Sequence, residues 1–278
     1  MKKIAILGVG LLGGSLAMAL KKKKDIQLVG WSRRKSARQK ASYVLKMVSR
    51  LEDAVDSAQI IVICTHSSHV VKILPMIANA ADPDALILDV SSVKSEIIRE
   101  ASVYPWAPFH FVPCHPMAGK EKSGVEQADE KLYQGKVVFI APLKSSPRKL
   151  IQKSVLFWKS VGGMPVIISA GQHDQFVALT SHLPHLLAAL LTNIYGTYKK
   201  KNPLIETAIG SGFRDFTRIA AGNPSMWNDI FQMNRKEIKF FLGQYRKSFL
   251  KFEKELTKTK SSYWKPFFEK SKKIREQI

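Results

Sequence analysis

The first 170 residues alternate short runs of apolar, β-branched residues with longer amphipathic stretches, a pattern that reads as strand and helix in turn. Strands are predicted at 3–7, 26–31, 59–64, 85–90, 109–114 and 137–141. Helices are predicted at 11–24, 70–80 and 94–102, with a last helix at 147–161 and a strand at 166–169 completing the series. A parallel connection needs a crossover long enough for a helix, so the alternation implies a doubly wound parallel sheet covered on both faces. After Gly171 the strand pattern stops, and 173–195, 203–209, 213–221 and 225 to about 256 read as helices. The predicted division is an α/β domain over 1–170 and an all-helical domain over 171–278. The last twenty or so residues are basic and amphipathic, broken at Pro266, and are assigned only as a terminal helix or tail.

Two apolar stretches imitate membrane signals. Residues 1–20 carry Lys2, Lys3, an apolar run and Ala17-Met18-Ala19, like a secretory leader, but Gly8, Gly10, Gly13 and Gly14 interrupt the run. Residues 175–198 contain no charged side chain and are long enough to span a bilayer. Ser181, His182, Pro184, His185 and Asn193 argue instead for a core helix with a functional kink, so no membrane partner is expected.

Composition changes the picture in two places. With 278 residues, 45% of them hydrophobic, the chain has room for two cores, and disordered or fibrous classes fail. Only Cys64 and Cys114 are present, both in apolar runs, which excludes a disulfide framework and fits a reducing cytoplasm. The formal charge of +22 is consistent with a nucleic-acid binder, with attraction for small anions, or with solvated lysines. Lys21–Lys24 and Lys199–Lys201 follow apolar segments as at helix C-termini, so no nucleic-acid partner is expected.

The chemistry gathers at the predicted strand ends. Gly8-Val9-Gly10-Leu11-Leu12-Gly13 fits G-x-G-x-x-G between a strand and a helix, where the glycines permit a tight turn, close approach of a pyrophosphate and helix packing. Thr65, just beyond the strand at 59–64, is a further candidate cofactor contact. The second strand ends in Ser32-Arg33-Arg34, where an NAD site usually places an acid for the ribose 2′-hydroxyl. A serine with two guanidinium neighbours suits a 2′-phosphate, so NADP is preferred, with NAD as the alternative. Asp89-Val90-Ser91-Ser92-Val93-Lys94 and Cys114-His115-Pro116 should also face the cofactor cleft. His115 can accept a proton from a substrate hydroxyl while hydride leaves the same carbon. His182 and His185, three apart, would permit zinc with Cys114 and His115, but no CxxC, HExxH or local acid accompanies them, and no metal is expected.

Taken together, GVGLLGGSLA, DVSSVKSEI, HPMAGKEKSG, TSHLPHLLA and GFRDFTRIAAGNPSMWNDI, in this order from Lys3 to about Tyr245, resemble the prephenate dehydrogenase family, which includes arogenate dehydrogenases. The resemblance implies an N-terminal Rossmann domain, a C-terminal helical domain that makes a homodimer, and an active site between them. It implies oxidative decarboxylation of prephenate to 4-hydroxyphenylpyruvate, or of arogenate to tyrosine. On the family pattern His115 bonds the 4-hydroxyl, Arg218 holds a substrate carboxylate, and Ser92, His182 and His185 line the pocket. Glu121 and Asp215 match acids of an ionic network at the entrance, and Trp227 a residue that closes the site from the dimer partner. A β-hydroxyacid dehydrogenase, and a basic nucleic-acid module on a dinucleotide fold, are the competing readings.

Overall fold

The structure is a computed structural model and describes residues 2–120 and 122–278. Strands β1 (Lys2–Leu7), β2 (Ile26–Trp31), β3 (Lys46–Val48), β4 (Ile60–Ile63), β5 (Leu86–Asp89) and β6 (Phe111–Val112) form one parallel sheet in the order β3-β2-β1-β4-β5-β6. Helices α1 (Leu11–Lys21), α2 (Lys35–Ala41), α3 (Leu51–Val55), α4 (Ser67–Ala80), α5 (Ser95–Ala101) and the single turn α6 (Ala107–His110) connect them. Ile60, Ile61, Val62 and Ile63 of β4 are all buried, as a central strand covered on both faces requires. Alternate positions feed two cores. Ile4 and Ile6 enter one with Leu16 and Trp158, while Ala5 and Leu7 enter the other with Val70 and Leu74. The apolar stretch read above as an imitation of a leader supplies, from Lys2 onward, a central strand and its helix.

The second half of the predicted series departs from one continuous sheet. The run at 109–114 is split at Pro113, which has no amide hydrogen to carry the ladder forward. Beyond it β7 (Cys114–Pro116) pairs antiparallel with β8 (Val137–Ile140), and β8 pairs parallel with β9 (Met164–Ile167), making a separate three-stranded sheet. Helix α7 (Arg148–Ser160) links β8 to β9 and packs Phe157 and Trp158 into the first core.

From Ala170 the described chain is helical. Helix α8 (Ala170–Val177) starts at Ser169, whose hydroxyl accepts the Gln172 amide, and runs through a π turn at Ala178–His182 into α9 (Leu183–Lys201). The kink expected at Pro184 is therefore a widened turn just ahead of it. Helix α10 (Ser211–Thr217) leads into a 3-10 turn at Arg218–Ala221. The predicted helix at 225–256 is two, α11 (Pro224–Met233) and α12 (Arg235–Leu256), broken at the buried Asn234. The tail forms α13 (Trp264–Arg275), in which Pro266 sits in the first turn, where a missing amide hydrogen costs nothing. The stretch Ala170–Lys201 is long and apolar enough to cross a membrane, and only 33% of its most apolar window is buried.

Candidate active site

The strand order reverses between β1 and β4, and a ligand crevice is expected beyond the carboxyl ends of those strands. Gly8 follows β1 with φ +95°, and a Cβ there would lie 2.8 Å from the Cys64 carbonyl and 2.9 Å from Thr65 Cγ2. A Cβ on Gly13 would meet the Gly8 carbonyl oxygen. One on Gly10 would meet nothing within 4 Å. Two glycines therefore close the turn and the middle one leaves open space over it. The first turn of α1 carries neither an acid nor a side-chain cap, so its amides remain available to an anion. These features fit a dinucleotide pyrophosphate. Leu11 and Leu12 pack against the first core, which leaves their amides as the groups to offer, and the Leu12 carbonyl accepts the Tyr133 hydroxyl at 2.8 Å.

At the end of β2, Ser32 is buried and its Oγ accepts the Val9 amide at 3.2 Å, tying the glycine turn to the neighbouring strand. Arg33 and Arg34 are exposed, and Arg33 Nη1 lies 3.4 Å from His69 Nε2 on α4. Arg38, which the motif reading passed over, donates to the Ser32 and Arg33 carbonyls at 2.8 and 3.0 Å and fixes this turn.

Three strands away, Asp89 ends β5. Its carboxylate receives Lys94 Nζ at 2.7 and 2.9 Å, the Cys114 amide at 2.8 Å and the Ser91 amide at 3.1 Å, while Lys94 Nζ also donates to the Cys114 carbonyl at 2.6 Å. Both side chains of this ion pair are fully buried. A buried pair survives only when its remaining hydrogen-bonding sites are filled, and here they bind β5, the loop bearing Ser92, and β7 into one unit. Ser92 is half-buried in that loop. Cys114 is pushed up to about 12, first by burial and then by Asp89, so the thiol stays protonated and inert.

His115 follows Cys114 and is half-buried. Its Nδ1 lies 2.8 Å from His173 Nε2, and His173 Nδ1 lies 2.7 Å from Asp174 Oδ1. The Asp174 carboxylate accepts the Lys94 and Ser95 amides at 2.8 Å each, capping α5 from α8. Burial drives His115 well below its ordinary value, with His173, Lys94 and His182 adding to the effect. Burial also lowers His173, against the partial opposition of its bond to Asp174. Burial alone would raise Asp174, but the donors from His173, Ser95 and Lys94 outweigh it and hold the carboxyl below its usual range.

His182 closes the π turn, and its Nδ1 lies 3.1 Å from Asn234 Nδ2, which also donates to the Asp174 carbonyl at 2.8 Å. Burial lowers His182 to about 4, and lowers His185 as well. His185 stacks on Trp227 of the same chain, ring centroids 3.5 Å apart at 13°. The Trp227 ring also lies 6.1 Å from the rings of His182 and Phe231 in the same chain. The turn after Arg218 packs on α9, and a Cβ on Gly222 would meet the Trp227 ring and approach His185 Cε1 to 3.1 Å. Arg218 and Asp215 are exposed at this end of α10, and Glu121 lies outside the described residues. Across the cleft, Ser68 on α4 donates to Asp229 on α11 at 2.5 Å.

Residues 16–167 match the family profile described as prephenate dehydrogenase, nucleotide-binding domain, and residues 169–270 match its dimerization domain. The chain belongs to the prephenate dehydrogenase family. It is 31% identical over 281 residues to the cyclohexadienyl dehydrogenase of Zymomonas mobilis, covering 99% of this chain and 95% of the relative. A prephenate dehydrogenase from A. aeolicus, solved with hydroxyphenyl propionate and NAD+, superimposes with TM-score 0.90 at 27% identity, covering 100% of this chain and 98% of that one. An arogenate dehydrogenase from Synechocystis superimposes with TM-score 0.83 at 26% identity, covering 99% of both chains. Family membership makes this chain an NAD(P)-dependent oxidoreductase. His173, Asp174 and Asn234 had no role in the motif reading, and the Asp89–Lys94 pair was visible only as part of a longer string.

Proposed function

We propose that this protein oxidatively decarboxylates prephenate to 4-hydroxyphenylpyruvate in the cytoplasm, with NADP preferred over NAD. The observation that carries the reading is a half-buried, neutral imidazole, His115, whose chain neighbour Cys114 is tied through Asp89 and Lys94 to the carboxyl end of β5, on the same edge of the sheet as the glycine turn. When bound, the dinucleotide supplies the hydride acceptor. His115 takes the 4-hydroxyl proton as hydride leaves C4. The bond from the ring to its carboxylate then breaks, carbon dioxide departs, and the electron pair aromatises the ring. The proton returns from His115 to the phenolate, so none is consumed overall. Residues 1–170 hold the dinucleotide and 171–278 complete the substrate pocket.

Arg218 holds a substrate carboxylate at the pocket rim, where Asp215 sets the local charge. Ser92, His182 and His185 contact the substrate, with Trp227 stacked behind His185. Neutral His185 can donate to the pyruvyl end of prephenate, which suits that substrate at least as well as the ammonium of arogenate. Arogenate is the second reading, supported by the equally complete likeness to an arogenate dehydrogenase. NADP preference rests on Ser32 in place of an acid, with Arg33 and Arg34 exposed beside it. The homodimer forms through the exposed apolar face of α9.

The test is a kinetic matrix of prephenate and arogenate against NADP and NAD. The reading expects the highest kcat/KM for prephenate with NADP and 4-hydroxyphenylpyruvate as product. No turnover in any of the four cells removes it.

A further inference from the structure

The row of groups behind His115 can be solved as a count of protons. Asp174 is ionised at neutral pH, so its oxygens only accept, and both already receive backbone amides from Lys94 and Ser95. The hydrogen between Asp174 Oδ1 and His173 Nδ1 therefore sits on His173. His173 is buried and neutral, so its Nε2 carries a lone pair. The 2.8 Å contact from that nitrogen to His115 Nδ1 needs one hydrogen, and only His115 can provide it. A neutral imidazole with its hydrogen on Nδ1 has none on Nε2.

We propose that His173 and Asp174 are positioning residues that hold the His115 hydrogen on Nδ1, so that Nε2 presents a lone pair to the substrate hydroxyl. The inference rests on His115 being the base of the proposed reaction, although the tautomer itself is a property of the resting protein. The surroundings leave the chain of bonds undisturbed. Lys94 Nζ is committed to Asp89 and the Cys114 carbonyl. His182 turns its Nδ1 to the Asn234 amide, and His185 lies beyond it against Trp227. Phe139 makes a T-shaped contact with His173, ring centroids 5.5 Å apart. When His115 gains a proton, the same bonds let the ionised Asp174 stabilise the imidazolium through His173.

Three proteins test this: the intact enzyme, His173→Leu and His173→Gln. Leucine keeps bulk and removes the acceptor, while glutamine offers an oxygen toward His115 and an N–H toward Asp174. His173→Leu should lower kcat about 10²-fold or more with the KM for dinucleotide unchanged, and His173→Gln should recover most of that loss. In 15N NMR at pH 7 the resting wild-type protein should show His115 protonated on Nδ1, and His173→Leu should move the hydrogen to Nε2. Equal loss in both variants with a lowered Tm would mean His173 only fills space, and would overturn the proposal. So would a wild-type His115 protonated on Nε2. If wild type turns over neither substrate, the functional reading fails while the NMR result still decides the tautomer.

Discussion

The two halves of the chain handle apolar surface in opposite ways. In the α/β half every residue of β4 is buried, and the sheet sends alternate side chains into two closed cores. In the helical half, Leu190, Ile194 and Tyr198 lie along α9 with 47%, 66% and 54% of their surface exposed. The first half closes its main sheet and leaves only scattered apolar side chains and the edge strand β9 in water, with Met164, Val166 and Ile167 exposed, whereas the second carries a stripe along one helix that a monomer would rarely leave in water. The stripe lies on the helix that is apolar enough to imitate a membrane span, within the residues that match a dimerization domain. The histidines lie between the two regimes, in a seam where Asp174 of α8 caps α5 and Asn234 holds Asp174.

The largest loss is expected inside the α/β half. Asp89→Ala leaves the fully buried Lys94 without its partner and should cost about 3–5 kcal/mol in denaturant unfolding. A loss below about 1 kcal/mol would mean the pair does not organise the strand ends.

The seam should be the acid-sensitive region. An unfolded imidazole binds its proton near 6.5, whereas folded His182 resists until about 4, so the unfolded state is favoured as pH falls through that window. His182 alone contributes a slope of up to about 1.4 kcal/mol per pH unit there. His115 and His173, also lowered, act with the same sign. Stability measured from pH 7 to 4 should fall, and in His182→Asn the fall should be shallower; identical slopes would refute the assignment.

On the exposed rim of the α/β half, Arg33→Ser should reduce the NADP over NAD preference by about tenfold or more, the worth of one charge-assisted bond of about 1.5–3 kcal/mol. An unchanged ratio would place the discrimination elsewhere. The mildest change to the folded chain is Ile194→Lys, which should shift sedimentation from dimer to monomer and leave secondary structure intact. Met76→Lys, on α4 with 45% of its surface exposed, should leave the dimer as it is. Equal behaviour of the two variants would remove the contrast between the halves.

How much of this was legible depended on how local each signal is. The strands at β1, β2, β4 and β5 and the glycine turn follow from period and spacing within a dozen residues. Strand β3 has three residues, too few to show a period, and Pro113 sits inside an apolar run that looks continuous until the ladder must pass through it. The break at Asn234 is hidden because asparagine interrupts an otherwise helical pattern only slightly, while its buried amide serves Asp174 and His182. His115 stood out at a strand end. His173 did not, since it is 58 residues away and opens a helix of no recognisable motif. The groups that decide a tautomer are set by tertiary contact, which pattern along the chain does not carry.

The central claim is that His115 moves the proton while other residues hold the dinucleotide. Stopped-flow and steady-state assays of His115→Asn with prephenate, alongside dinucleotide binding measured by fluorescence quenching, test it directly. In that variant kcat should fall by about 10²–10⁴-fold with dinucleotide affinity unchanged. Wild-type kcat in that variant would contradict it.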